Sequence, residues 1–332
     1  MPKPFNAGGQ AVIEGVMMRT PKAMSIAVRC PSGEIIVKKG KWRSLWNGRA
    51  LKIPFIRGVI VMFESLVNGI SALNFSAIQA MPVSDKGEKP NESVSNWSIG
   101  FTMAFAFVMG IGFFVYLPHI LTNMMSSFFR NAFTEENIIF HLIDGGIKMI
   151  LFVAYLYGIS RFKDIRRVFE YHGAEHMTIF AYEDGKPLTI ESIRPYQTHH
   201  PRCGTSFLIS VILISIVLFS LLYVFIPVSL NSNPILSKLI LISIKIPLMF
   251  PIAGIAYELI RLAGKYQKSF FRILVLPGLW LQRITTKTPT DDQLEVAICS
   301  LKAALQIEHE LGASIDPIYG IDDLGSHVKQ VS

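Results

Sequence analysis

Four of the chain's eight histidines and one of its three cysteines fall between residues 170 and 205. In Glu170-Tyr171-His172-Gly173-Ala174-Glu175-His176 the two histidines stand four apart. On a helix they share a face and can aim both imidazoles at one spot. Such a pair is a common way for a helix to hold a metal ion. About two dozen residues later His199-His200-Pro201-Arg202-Cys203-Gly204-Thr205 offers His200 and Cys203, three apart in a turn stiffened by Pro201. The two stretches read as halves of one site, with His172, His176, His200 and Cys203 as ligands. Imidazole with thiolate favours zinc among divalent transition metals. Four bound ligands make a closed structural site, whereas three leave room for a water.

Glu175 follows His172 by three, on the adjoining edge of the same face. In the order His-x-x-Glu-His a Glu at that place activates a metal-bound water, so Glu175 is the expected catalytic base. Glu183, seven residues past His176, lies about 10 Å further along the helix, too far for the same ion. His199, Arg202, Glu14 and Glu258 are further candidates near the site. Glu14 also reads as an ordinary polar strand residue, and Glu258 as the ion-pair partner of Arg261.

The elements that carry these residues belong to a membrane protein. The chain has 332 residues, of which 51% are hydrophobic and 17% charged. Its net charge of +8 gathers at the ends of apolar runs, as on the cytoplasmic flanks of membrane helices. From Met1 to Arg57 there are 11 Lys and Arg against Glu14 and Glu34. No nucleic-acid module is recognisable, so nucleic acid is not an expected partner. Three scattered cysteines make no disulfide framework and fit a reduced compartment.

The expected fold is an α-helical integral membrane protein of about four transmembrane helices with both termini inside. Residues 1–54 form a small β-containing cytoplasmic region, with strands at Ala11 to Ile13, Met24 to Arg29 and Glu34 to Val37. Residues 55–81 form an interfacial amphipathic helix, and 82–96 a polar linker. The membrane domain, 97–283, has spans at about 97–119, 138–160, 205–227 and 235–262, each long enough for a roughly 30 Å hydrocarbon layer. The last bends at Pro247 and Pro251. Segment 269–283, broken by Pro277-Gly278, lies flat at the interface. The His/Cys loop, 161–204, is rich in Lys and Arg and therefore faces the cytoplasm. Residues 284–332 are a cytoplasmic helix capped by Thr290 and Gln293, followed by a loose tail.

Asp144 and Lys148 in the second span and Lys245 in the fourth are ionisable residues at membrane depth. They mark either a helix-holding pair or a solute pathway.

Four segments carry a resemblance: Gly8-Gly9-Gln10-Ala11-Val12-Ile13-Glu14-Gly15-Val16-Met17-Met18-Arg19, Tyr171 to His176, His200 to Phe207, and Thr285-Thr286-Lys287 through Asp291 to Ala297. Together they resemble the DUF1385 (YqhQ-like) family of bacterial membrane proteins, which are described as predicted metal-dependent enzymes. The resemblance implies a bacterial cell membrane location and supports the same four ligands. The leading reading is a metal-dependent hydrolase acting at the cytoplasmic membrane surface on a lipid-linked or membrane substrate. Arg166, Arg167, Arg194 and Arg202 would receive an anionic headgroup. Two rivals stand beside it: a membrane scaffold with a structural metal, and a small transporter using Asp144, Lys148 and Lys245.

Overall fold

The computed structural model describes residues 4–42, 52–82, 96–130, 133, 137–201, 203–225, 234–265, 271–325 and 327–331. The linker expected at 82–96 falls almost wholly outside the described residues, as does Arg202. The chain is mostly helical. Its strands are β1 (Gly8–Val12), β2 (Gly15–Arg19), β3 (Ala23–Arg29), β4 (Ile35–Lys41) and β5 (Val328–Val331). Its helices are α1 (Ile56–Ala80), α2 (Asn96–Ile111), α3 (Leu117–Phe128), α4 (Ile138–Ile159), α5 (Lys163–Glu183) and the single turn α6 (Ile190–Ile193). They continue with α7 (Gly204–Phe225), α8 (Pro234–Lys265), α9 (Phe271–Thr285) and α10 (Asp291–Glu310).

Strands β1 to β4 run as an antiparallel meander, and β5 adds in parallel to the outer edge of β4, with Ile35 opposite Val328. Alternation along a strand sends successive side chains to opposite faces. Val16, Met18, Ala27, Ile35 and Val37 point to one face, where they pack with Tyr171, Met177 and Ile179 of α5 and Leu294, Leu301 and Leu305 of α10. Val12, Met17, Ile26 and Val28 point to the other and meet Ala72 and Phe75 of α1. Each fully buried Leu of α10 contributes roughly 1.5–3 kcal/mol of transfer free energy. Thr290 and Gln293 cap that helix as expected, the Thr290 N–H donating to Gln293 Oε1 at 2.9 Å.

Both ends of the chain therefore build one body. Polar bonds stitch them across the sheet: Lys22 N–H to Glu308 Oε1 at 2.5 Å, Ser25 Oγ to the Ser300 carbonyl at 2.5 Å, and Arg29 to Glu295 at 2.6 Å. The tail expected to be loose is instead ordered by Tyr319, which is buried against Tyr182, and by β5.

Among the described residues three helices are long and apolar enough to cross a bilayer: Ile56–Ala80, Gly100–Phe128 and Ile138–Ile159. The second joins α2 and α3 through a π-helical turn, Gly112–Tyr116, and so runs past the end of the span expected at 97–119. α4 coincides with the expected second span. α7 and α8 are helical over the expected third and fourth, and α8 contains Pro247 and Pro251. α9 is one helix through Pro277 rather than a broken segment.

α1 is the helix expected at 55–81. It is long and apolar enough to span, yet small residues (Gly58, Gly69, Ala72, Ser76) face the protein while Phe63, Leu66, Val67 and Ile78 face outward. Its far half is occupied by the sheet, where Ile13 N–H donates to Ser76 Oγ at 3.2 Å. Its near end rests on α8, where Arg57 grips both oxygens of Glu258. Both side chains are partly buried, at 18% and 14% exposure. Glu258→Ala strands the Arg57 cation, and losing a partner of a charged hydrogen bond in such a place costs roughly 1–3 kcal/mol. A fall in melting temperature of the detergent-purified protein is expected, with a much smaller fall for Arg261→Ala, whose contact to Glu258 is 3.9 Å.

Candidate metal centre

α5 has the helical geometry that the His172/His176 spacing predicts, and the two rings lie 4.4 Å apart, centroid to centroid. Cys203 ends the turn that opens α7. Its Sγ sits 3.1 Å from His172 Nε2. One ligand atom each from His172, His176 and Cys203 all fall within 4.8 Å of one another. Two donors sharing a zinc ion at 2.0–2.3 Å stand roughly 3–4 Å apart, a spacing these atoms reach with a small inward adjustment of the side chains.

The other nitrogen of each ring is held from behind. His172 Nδ1 lies 2.9 Å from the Thr285 carbonyl oxygen, and His176 Nδ1 2.5 Å from that of Thr198. A carbonyl only accepts, so each Nδ1 carries the proton and each Nε2 presents a lone pair. This outer contact is the one that metal-binding histidines make to fix tautomer and ring direction. Two Nε2 lone pairs and one sulfur then face each other. One S–H proton can serve only one Nε2 at a time, and the Cys203 sulfur faces both His172 and His176. An unsatisfied buried acceptor costs about 1–3 kcal/mol, and a cation shared by all three atoms removes that cost. Burial pushes the His176 pKa down, against the opposing pull of the Cys203 sulfur. Its neutral form, the one that ligates, is favoured.

His200 is placed differently. Its ring packs on Phe180, and its Nε2 points to Glu183 at 3.5 Å. Gln282, fully buried in α9, brackets the His200 backbone, accepting from its N–H at 2.7 Å and donating to its carbonyl at 2.9 Å. The structure thus groups three of the four expected ligands and sets His200 behind His176, 5.7 Å away between ring centroids. Burial pushes the His200 pKa down to about 4, with Glu175 pulling the other way.

Glu175 is 5% exposed. Burial raises its pKa, opposed by the charges of His172 and His200 and by a hydrogen bond from the Gly9 N–H. Glu175 therefore lies at the centre without being one of the three grouped ligands.

The remaining candidates have other places. Glu14, at the β1–β2 turn with φ of 51°, chelates Arg167 and accepts from the Tyr171 hydroxyl at 3.4 Å. His199 is half-buried, its pKa lowered by burial and by Arg283. Glu258 belongs to Arg57, a partner two hundred positions away that spacing does not reveal. Asp144 and Lys148 form the expected pair along α4, while the Lys245 side chain lies outside the described residues. Arg166 pairs with Glu170 and Arg194 with Asp291, at 3.4 Å and 2.5 Å. With Arg167 held by Glu14, three of the four arginines expected to receive a headgroup are engaged by carboxylates.

Residues that the chemistry of the sequence does not single out complete the centre: Thr198, Gln282 and Thr285 through backbone or amide contacts, and Gly9. Only the resemblance points to Gly9 and to Thr285.

Residues 53–307 match the model of a family described as protein of unknown function, DUF1385. The chain belongs to the DUF1385 family. It is 33% identical over 307 residues to the uncharacterized protein YqhQ of Bacillus subtilis (strain 168), an alignment covering 91% of this chain and 92% of that one. No solved structure matches significantly. The matched span takes in every member of the centre except Gly9.

Proposed function

We propose that this DUF1385 chain is a membrane-embedded, metal-dependent hydrolase whose centre faces the cytoplasm and acts on a lipid-linked or membrane substrate. The observation that carries the metal is the convergence of two Nε2 lone pairs and a thiol, with each Nδ1 tied to a backbone carbonyl. Zinc suits that donor set. With His200 turned to Glu183, three protein donors remain, the count of open rather than closed sites. When bound, the ion supplies Lewis-acid activation of a water or of a substrate oxygen.

The chain's own residues do the rest. Glu175, buried beside His172 and held by the Gly9 N–H, is placed to take a proton from a water and return it to a leaving group. The Thr198 and Thr285 carbonyls keep both imidazoles aimed, and Gln282 keeps the His200 turn closed. The positive loop between α4 and α7 and the apolar outer face of α1 support four spans, both termini inside and a sheet body resting on the cytoplasmic surface.

Elemental analysis of detergent-purified protein tests the centre. About one ion per chain is expected, and Glu175→Gln should keep that ion while abolishing turnover, a loss of roughly 10²-fold or more for a general base. Loss of metal in Glu175→Gln makes Glu175 a ligand, and a metal-free wild-type protein removes the hydrolase.

A further inference from the structure

Gly8-Gly9-Gln10 opens β1, and none of the three side chains offers a reactive group. Gly9 is exposed, yet it directly overlies Glu175, which is 5% exposed. Its backbone N–H donates to the Glu175 carboxylate. A Cβ at Gly9 would lie 2.9 Å from Glu175 Cγ and 2.5 Å from the Met17 carbonyl oxygen. The Met17 oxygen belongs to β2, which pairs with both β1 and β3, so it has little freedom to move. A Cβ therefore forces β1 off its seat on β2, and the Glu175 side chain, 2.9 Å away, is pushed aside with it. Next door, a Cβ at Gly8 would meet nothing within 4 Å.

Alternation sends Gln10 to the opposite face of β1. There its side-chain amide sits against Gly69 of α1, where a Cβ would come within 2.6 Å of Gln10 Oε1. The strand is thus braced from behind by α1 and touches the acid in front. The metal-ligating side chains are held from elsewhere, by Thr198 and Thr285.

We propose that Gly9 is the positioning residue for Glu175: its bare backbone lets an N–H fix the carboxylate beside His172, and any side chain there displaces the acid while leaving the three ligands in place. The catalytic meaning of this clamp rests on the hydrolase reading above, whereas the clamp itself does not require a metal.

Hydrogen–deuterium exchange on the full-length protein in detergent reads the clamp directly. Gly9 exchange should quicken about 10-fold or more in Glu175→Ala, because the amide loses its acceptor. Glu175→Gln keeps an acceptor oxygen and should hold exchange near the wild-type rate, a rescue that loss of bulk packing does not produce. In parallel, Gly9→Ala should raise carbodiimide coupling at Glu175 several-fold and retain zinc, while Gly8→Ala matches wild type in both. Unchanged Gly9 exchange in Glu175→Ala overturns the proposal, as does loss of zinc in Gly9→Ala. If Gly9→Ala does not fold, the exchange comparison decides, since it needs no substitution in β1. A wild-type protein with the exchange pattern but no metal overturns the catalytic half and the hydrolase together, and leaves the clamp standing.

Discussion

Cys203→Ser, His172→Ala and His176→Ala are each expected to reduce bound metal from about one ion per chain to less than roughly a tenth, since even outer-shell losses cost 10–100-fold in affinity. The three donor atoms form a minimal set, so removing one leaves two ligands and no effective chelate. The serine substitution would put a hydroxyl where a thiolate stood, and a neutral oxygen is a poor exchange for soft sulfur at a zinc-type site. His200→Ala is the internal contrast. Its Nε2 faces Glu183 and its backbone, which Gln282 grips, survives the substitution. Metal content should then stay near wild type. Elemental analysis of the four variants side by side checks the assignment, and metal loss in His200→Ala would restore a four-ligand, closed site.

The second large effect is expected at Gly173, one position past His172. A Cβ there would overlap the Lys287 carbonyl oxygen, at the point where Lys287 N–H donates to the Phe169 carbonyl at 2.9 Å. Both partners are backbone, so no rotamer change relieves the clash and α5 must part from the segment after α9. Overpacking costs typically about 1–3 kcal/mol, and Gly173→Ala should lie at or above the upper end. Because Thr285, two residues before Lys287, holds His172 Nδ1, metal affinity should fall as well. Gly146→Ala, whose Cβ meets nothing within 4 Å, should melt like wild type. A melting curve with and without added zinc measures both effects.

What spacing makes legible is local. The His172/His176 pair, the capping box at Thr290 and the Asp144–Lys148 pair each depend on one helix repeat, and each is present. What spacing leaves hidden depends on distant chain. Whether His200 joins the His172, His176 and Cys203 group or turns to Glu183 depends on the backbone grip of Gln282, 82 positions away. The partner of Glu258 is decided by how α1 docks on α8. Strand β2 escapes a reading by alternation because Val16-Met17-Met18 is buried on both faces, by α10 and by α1, and so lacks the pattern that marks a one-sided strand. β5 has two apolar residues in four, and only its pairing with β4 makes it a strand. α9 continues through Pro277, where a break is expected, packed along α7 and α8.

The sheet body is sewn from opposite ends of the polypeptide, with Ile35 beside Val328 and Ser25 beside Ser300, while the apolar helices emerge in between. During synthesis the first four strands must therefore wait, part of one oily face uncovered even once α5 has docked, until every hydrophobic segment has left the ribosome and α10 arrives to complete the cover. Such late, long-range closure is slow and invites aggregation. A ribosome stalled before α10 should expose a protease-sensitive amino-terminal meander, and release of the full chain should protect it.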